Sequence, residues 1–176
     1  MSTYQIDTAH THAQFKVRHL MISNVKGEFT KVTGTVELDD ANPSASSINV
    51  TIDVNSVSTR EPQRDAHLKS ADFFDVAKFP TITFVSKEVV KSGDDSYEVV
   101  GDLTIHGVTK TVDLNVESVT PEMKDPYGMF RRGAEAKTTI IRSDFNLVYN
   151  AALETGGVLI GDDVHITIDT ELVRKA

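Results

Sequence analysis

There is no cysteine in this chain of 176 residues, which excludes disulfides, thiolate nucleophiles and Cys-ligated zinc or iron–sulfur centres. Tryptophan is absent as well, and no run approaches the roughly 18 consecutive apolar residues that a membrane-crossing helix needs. Basic residues are in the minority. Eighteen Lys and Arg stand against 26 Asp and Glu, a net charge of −8, and they are scattered rather than massed in a stripe, so nucleic acid is not an expected partner. The start, MSTYQIDTAH, has neither a basic n-region nor an apolar h-region, so the expectation is a cytoplasmic chain with no stable membrane insertion. A G-x-S-x-G nucleophile elbow does not occur. Linkers, repeats and low-complexity tracts are also missing. Residues 1–176 therefore read as one domain, large enough to bury a core without staples.

What the chain does have is a period of two. Val108, Val112, Leu114 and Val116 alternate with polar neighbours, as do Val164, Ile166, Ile168 and Leu172, which marks strands with one buried and one wet face. The same pattern is legible in Ala13-Phe15-Val17, Val36-Leu38, Ile48-Val50-Ile52-Val54, Ile82-Phe84, Leu103-Ile105 and Ala134-Ala136-Thr138-Ile140, with a further strand starting near Gly27. Turn residues separate them, at Asn42-Pro43-Ser44, Ser92-Gly93-Asp94-Asp95, Asp125-Pro126-Tyr127-Gly128 and Glu154-Thr155-Gly156-Gly157. Short links of this kind make the strands antiparallel. About eight such strands predict a sandwich or a barrel, and closure is the cleaner way to remove exposed edges.

One stretch breaks the pattern. Between Ser58 and Thr81, Pro62 presets a first helical turn, residues 63–69 lack alternation, and Pro80 ends the segment, which predicts a short helical insert around residues 62–75. Asp65, His67 and Ser70 do not converge as a triad on such a helix, so no catalytic residue is assigned, and Arg64-Asp65 reads as a local ion pair or helix-end contact. The insert also holds Phe73, Phe74 and Phe79, three of the eight Phe, where an ordinary loop would be polar. These three Phe either plug one end of a filled core or face a hollow one.

The blocks DTAHTHAQFKVRH, RDAHLKSADFFDVAKFP, GDLTIHGVTK, DPYG and RSDF, in this order, resemble the YceI-like family over essentially the full length. The resemblance implies an all-β fold, an eight-stranded antiparallel lipocalin-like barrel around an apolar channel that holds a polyisoprenoid or another long-chain amphiphile. It implies no enzyme and no cofactor, and it alone suggests a homodimer. Many members carry a signal peptide, and Met21 follows His19-Leu20 where a glycine is common in the family.

On that basis the expected ligand-binding residues are Phe15, Val17 and Phe84 from the strands, and Phe73, Phe74 and Phe79 from the insert. His10, His19, Arg64 and His67 are expected as polar groups at the mouth. His10 and His12 share a strand face at i, i+2, but no carboxylate or Cys stands at ligand spacing to complete a shell, so no metal is expected. His106-Gly107 is expected to form the centre of a hairpin turn, and His165 to face solvent. The reading is a carrier or sequestering protein for a polyprenyl or quinone-like lipid. Two others stay open on the residues: an enzyme of isoprenoid or lipid metabolism using a mouth histidine, and a packed, stress-related barrel without ligand.

Overall fold

The computed structural model describes residues 1–175. Its strands are β1 (Ser2–Ile6), β2 (His12–His19), β3 (Ser23–Phe29), β4 (Val32–Leu38), β5 (Ser47–Asp53), β6 (Val57–Ser58), β7 (Thr81–Lys91), β8 (Tyr97–Ile105), β9 (Val108–Glu117), β10 (Met123–Lys124), β11 (Phe130–Ile141) and β12 (Ile160–Arg174), with one α-helix, α1 (Pro62–Lys69). Every pairing between them is antiparallel.

Several short strands are halves of longer staves. A 3₁₀ turn at Thr8–His10 divides β1 from β2, and another at Val54–Ser56 divides β5 from β6. Both are folded locally by an aspartate: Asp7 accepts from the Ala9 N–H at 3.1 Å, and Asp53 from the Asn55 N–H at 3.0 Å. Because β2 pairs with β3 while β1 pairs with β4, β3 and β4 also run as one bent stave. Counted this way, β1/β2, β3/β4, β5/β6, β7, β8, β9, β11 and β12 form an eight-stranded meander in chain order. It closes through β12, which pairs with β1 and β2 on one side and with β11 from Phe130↔Arg174 to Ile141↔Asp163 on the other. The seam between β9 and β11 is the shortest of the ring, with only Asn115, Val116 and Glu117 paired to Lys137, Ala136 and Glu135.

The two ends differ. At one end, Tyr4 is 1% exposed and donates to Glu122, Arg174 donates to both Glu122 oxygens at 2.8 Å, and Arg132 meets Asp40 through two hydrogen bonds of 3.0 and 2.6 Å. The other end, called the helix end below, carries α1, the 70–79 segment, the β2–β3 turn and residues 142–159. Glu61 caps α1 by accepting from the N–H groups of Gln63 and Arg64, and Pro62 occupies its first turn. Within the helical insert expected around residues 62–75, the helix itself ends at Lys69 and turns follow. Ser70 takes extended ψ as the C-cap, and the Phe74 and Val76 N–H groups return to the Leu68 and Lys69 carbonyls, so residues 70–79 are a chain of turns with Asp75 at φ +48°. His106 and Gly107 take φ of +52° and +73°, the conformation their hairpin requires.

Candidate functional site: an apolar channel

A cavity of about 500 Å³ runs inside the barrel from Arg132 and Asp40 at one end to His67 and Tyr149 at the helix end. Its wall is built by strand alternation: Phe15 and Val17 of β2, Phe84 of β7 and Val164, Ile166 and Ile168 of β12 all face inward. Arg132 and Ile140 lie eight residues apart on β11, so the bore extends roughly 20 Å along the axis after allowing for strand tilt.

Three features keep the bore from filling. Along β11 the inward positions are Ala134, Ala136 and Thr138, too small to reach the axis. Across β2–β3, the Phe15 ring lies over Gly27, with Cζ 2.4 Å from where a Cβ would stand, so the ring sits flat against the wall. Phe84 does the same over Gly101, also at 2.4 Å. Either glycine replaced by alanine would drive its ring into the lumen.

The helix end is a lattice of rings. Phe74 stands edge-on to Phe29 at 5.7 Å between centroids, and Phe29 meets Phe15 at 5.6 Å, so one stack runs from the insert into the wall. At the rim, His67, Phe73 and Tyr149 form a triangle with centroid separations of 5.0, 5.0 and 4.9 Å. His67 is 42% exposed and also lines the cavity, so the channel meets solvent there. Its Nε2 lies 2.8 Å from Asp72 Oδ2.

The sequence-expected Arg64–Asp65 pair is instead a joint clamp on Thr59. Arg64 donates to the Thr59 hydroxyl and carbonyl at 2.7 and 2.9 Å, while Asp65 accepts from the Thr59 N–H and hydroxyl at 2.8 and 2.6 Å. Ser70 Oγ donates to the His67 carbonyl at 2.6 Å. Asp65 and Ser70 are thus each committed away from the His67 ring.

Of the expected ligand-binding residues, Phe15, Val17, His19, Arg64, His67, Phe73, Phe74 and Phe84 line the channel. His10 and Phe79 do not. His10 falls in the 3₁₀ turn instead of sharing a strand face with His12, and its side chain, 58% exposed, pairs with Asp7 at 3.0 Å on the outside of the barrel. Phe79 turns outward against the β8–β9 hairpin, its ring 4.6 Å from His106 and 2.7 Å from where Gly107 would carry a Cβ. His165 is exposed and bonded to Thr139.

Tertiary folding also assembles a carboxylate cluster that sequence spacing does not reveal. The ligand-type atoms of Asp7, His10 and Glu171 lie within 4.8 Å of one another, but Arg131 Nη1 donates to Asp7 and Glu171 at 2.7 and 3.0 Å and so already provides the positive charge. The Arg131 hydrogen bond, supplemented by that of His10, holds the Asp7 carboxyl below its usual range.

Two channel-lining residues are missing from the sequence-based expectation. Tyr149 reaches the rim only because Arg142 folds residues 143–160 back over the barrel. The Arg142 side chain is buried and donates to the carbonyls of Gly161, Leu147, Tyr149 and Ile160 at 2.7–3.3 Å. Burial among carbonyls, without a direct carboxylate contact, pulls its pKa down from the ordinary arginine value. The second is Arg132, in phase with Ala134 and Ala136. That phase was readable, since an arginine at an inward position of a closed barrel requires a partner, here Asp40.

The YceI-like domain model matches residues 4–172. A UPF0312 protein of Pectobacterium atrosepticum is 41% identical over 174 residues, covering 98% of this chain and 86% of that relative. Among solved structures, BcnA of Burkholderia cenocepacia superimposes with a TM-score of 0.82 at 26% identity, covering 94% of this chain and 98% of its own. A polyisoprenoid binding domain from Saccharophagus degradans has the same barrel, with a TM-score of 0.69, 16% identity and coverage of 96% and 97%.

Proposed function

The chain belongs to the YceI-like family, and from that premise we propose that it binds and carries, or sequesters, a long-chain isoprenoid of polyprenyl or quinone-like type in the channel of its barrel. The observation that carries this reading is the bore itself: about 500 Å³, walled by aliphatic and aromatic side chains, and held open by Ala134, Ala136 and the two rings laid over glycines. A bore of that size and lining suits a slim apolar chain. The Saccharophagus degradans domain that binds polyisoprenoid lends support at the level of the shared barrel.

Binding works by exclusion of water. At about 0.3 kcal/mol per heavy atom, an isoprene unit of five carbons contributes roughly 1.5 kcal/mol, so each further unit that the bore accepts tightens binding about tenfold. Tail length therefore dominates, and His19, Arg64 and His67 at the helix end supply polar contacts to the head. Binding is favoured over turnover because no nucleophile is presented to His67 by its own helix end: Ser70 Oγ donates to the His67 carbonyl and Asp65 is held by Thr59. Organic extraction of the purified protein followed by mass spectrometry tests the proposal. The expected result is an isoprenoid near one per chain; lipid-free protein that also takes up no prenyl lipid from solution contradicts it.

A further inference from the structure

We propose that the β2–β3 hairpin, together with the adjoining 147–159 segment, is a docking surface for an anionic lipid bilayer that sets the helix end of the channel against the membrane. The proposal rests on the carrier reading above and adds the surface through which cargo would enter and leave.

The hairpin tip is apolar and exposed: Leu20, Met21 and Ile22 are 38%, 51% and 76% accessible, and Val148 and Val158 join them at 63% and 39%. Tip and segment are in contact. The Leu20 N–H donates to the Leu159 carbonyl at 2.9 Å, and the Met21 Cγ lies 3.1 Å from where Gly157 would carry a Cβ. Three of the five adjoin channel-lining residues in the chain: Leu20 follows His19, Val148 stands between Leu147 and Tyr149, and Val158 precedes Leu159. Single exposed apolar residues are ordinary, whereas a cluster rimming an apolar opening is not.

The backbone gives an independent sign. Leu20 and Met21 take φ of +52° and +63° in a turn closed by the Ile22 N–H to the His19 carbonyl at 3.1 Å, the pattern of a type I′ turn. Asn-Gly is the favoured pair there, and bulky side chains at both positions are strained. Leu-Met costs this turn more than Asn-Gly would, and most of the tip's apolar surface stays uncovered by the fold.

Charge selects the partner. Lys16 and Lys26 stand directly opposite each other on the outer face of the hairpin, with Arg18 two register pairs nearer the tip. None of the three is in an ion pair among the described residues, although like charges placed directly opposite repel. Of the acidic residues at this end, Asp75 pairs with Lys78, Asp72 is bonded to His67 and Asp162 to Ser143, while Asp163 stands on β12 beside Val164, the partner of Val17. An apolar tip on a basic stem suits acyl chains beneath anionic headgroups. It also lets a long tail pass between channel and bilayer without crossing water.

Flotation with vesicles of phosphatidylcholine, with and without phosphatidylglycerol, tests this on the purified protein, alongside sedimentation velocity. Wild type is expected to float with the anionic vesicles and to be released by salt. Ile22→Asp should weaken partitioning about tenfold. The double variant Leu20→Asn/Met21→Gly should lose it while melting about 4 °C higher, since it relieves the turn, whereas a merely structural role predicts a lower melting temperature. No flotation, or a dimer that Ile22→Asp dissolves, overturns the proposal. Flotation by a protein that takes up no lipid keeps the surface and removes the carrier role, so the two failures are distinguishable.

Discussion

Truncating Phe74 to alanine separates a wall packed on itself from a wall packed on a guest. Phe74 presents its edge to Phe29 at 71° on one side and lines the channel on the other. Phe145 is the reference: 2% exposed and outside the channel wall, it is surrounded by protein, so Phe145→Ala removes about 4 kcal/mol whether or not lipid is bound. Phe74 has protein on one side only, so the delipidated protein should lose about 2 kcal/mol, half the packing of a core ring together with its edge-to-face pair. In a chain of this length each kcal/mol moves the melting temperature by about 3 °C, which gives a drop of about 6 °C without lipid. With lipid bound, the lost ring contact adds about 1 kcal/mol, and the drop grows to about 9 °C. The assay is a pair of melting curves, delipidated and lipid-loaded, for wild type, Phe145→Ala and Phe74→Ala. Equal drops for Phe74→Ala in the two states would return the insert to ordinary core.

Three other outcomes are expected. His106→Asn keeps a residue suited to φ +52° but loses the ring contact with Phe79, so stability should fall by about 1 kcal/mol with lipid uptake unchanged; lost uptake at unchanged stability would place His106 in the binding machinery. Arg142→Lys should cost about 3 kcal/mol and accelerate hydrogen exchange over residues 143–159, because an ammonium cannot meet four carbonyls arranged for a guanidinium; wild-type exchange would contradict this. Arg131 holds Asp125 and Asp7 below the ordinary carboxylate range, so their contribution is complete above the unfolded value near pH 4 and is lost as pH falls through the lower folded values. Acid unfolding curves should show that loss in wild type, and Arg131→Gln should be less stable at neutral pH with a shallower acid slope; parallel curves would contradict the assignment.

The staves are legible in the sequence because each buries one face, and a period of two in Val112-Leu114-Val116 or Ile166-Ile168 has no other simple cause. The kinks that make eight staves from a larger number of strands are less legible. Asp7 and Asp53 each fold a local turn inside what alternation alone would read as extended chain, and this carries His10 off the face it shares on paper with His12. The insert shows the same division. Phe73 and Phe74 reach the channel as expected, while Phe79 lies past the left-handed Asp75 and faces the neighbouring hairpin, a change of direction set by one backbone dihedral. Ala134 and Ala136 were readable as an inward pair, but that their small size hollows the barrel follows only once Phe15 and Phe84 are seen against Gly27 and Gly101. Tyr149 depends wholly on the carbonyls gathered by Arg142, a tertiary arrangement that spacing does not encode.

A length series of prenyl alcohols bound by delipidated protein bears most directly on the channel. If water exclusion in a roughly 20 Å bore provides the affinity, the dissociation constant should fall about tenfold with each added isoprene unit until the tail outgrows the channel, then level off. Affinity independent of tail length, or no binding at any length, would contradict an isoprenoid-carrying barrel.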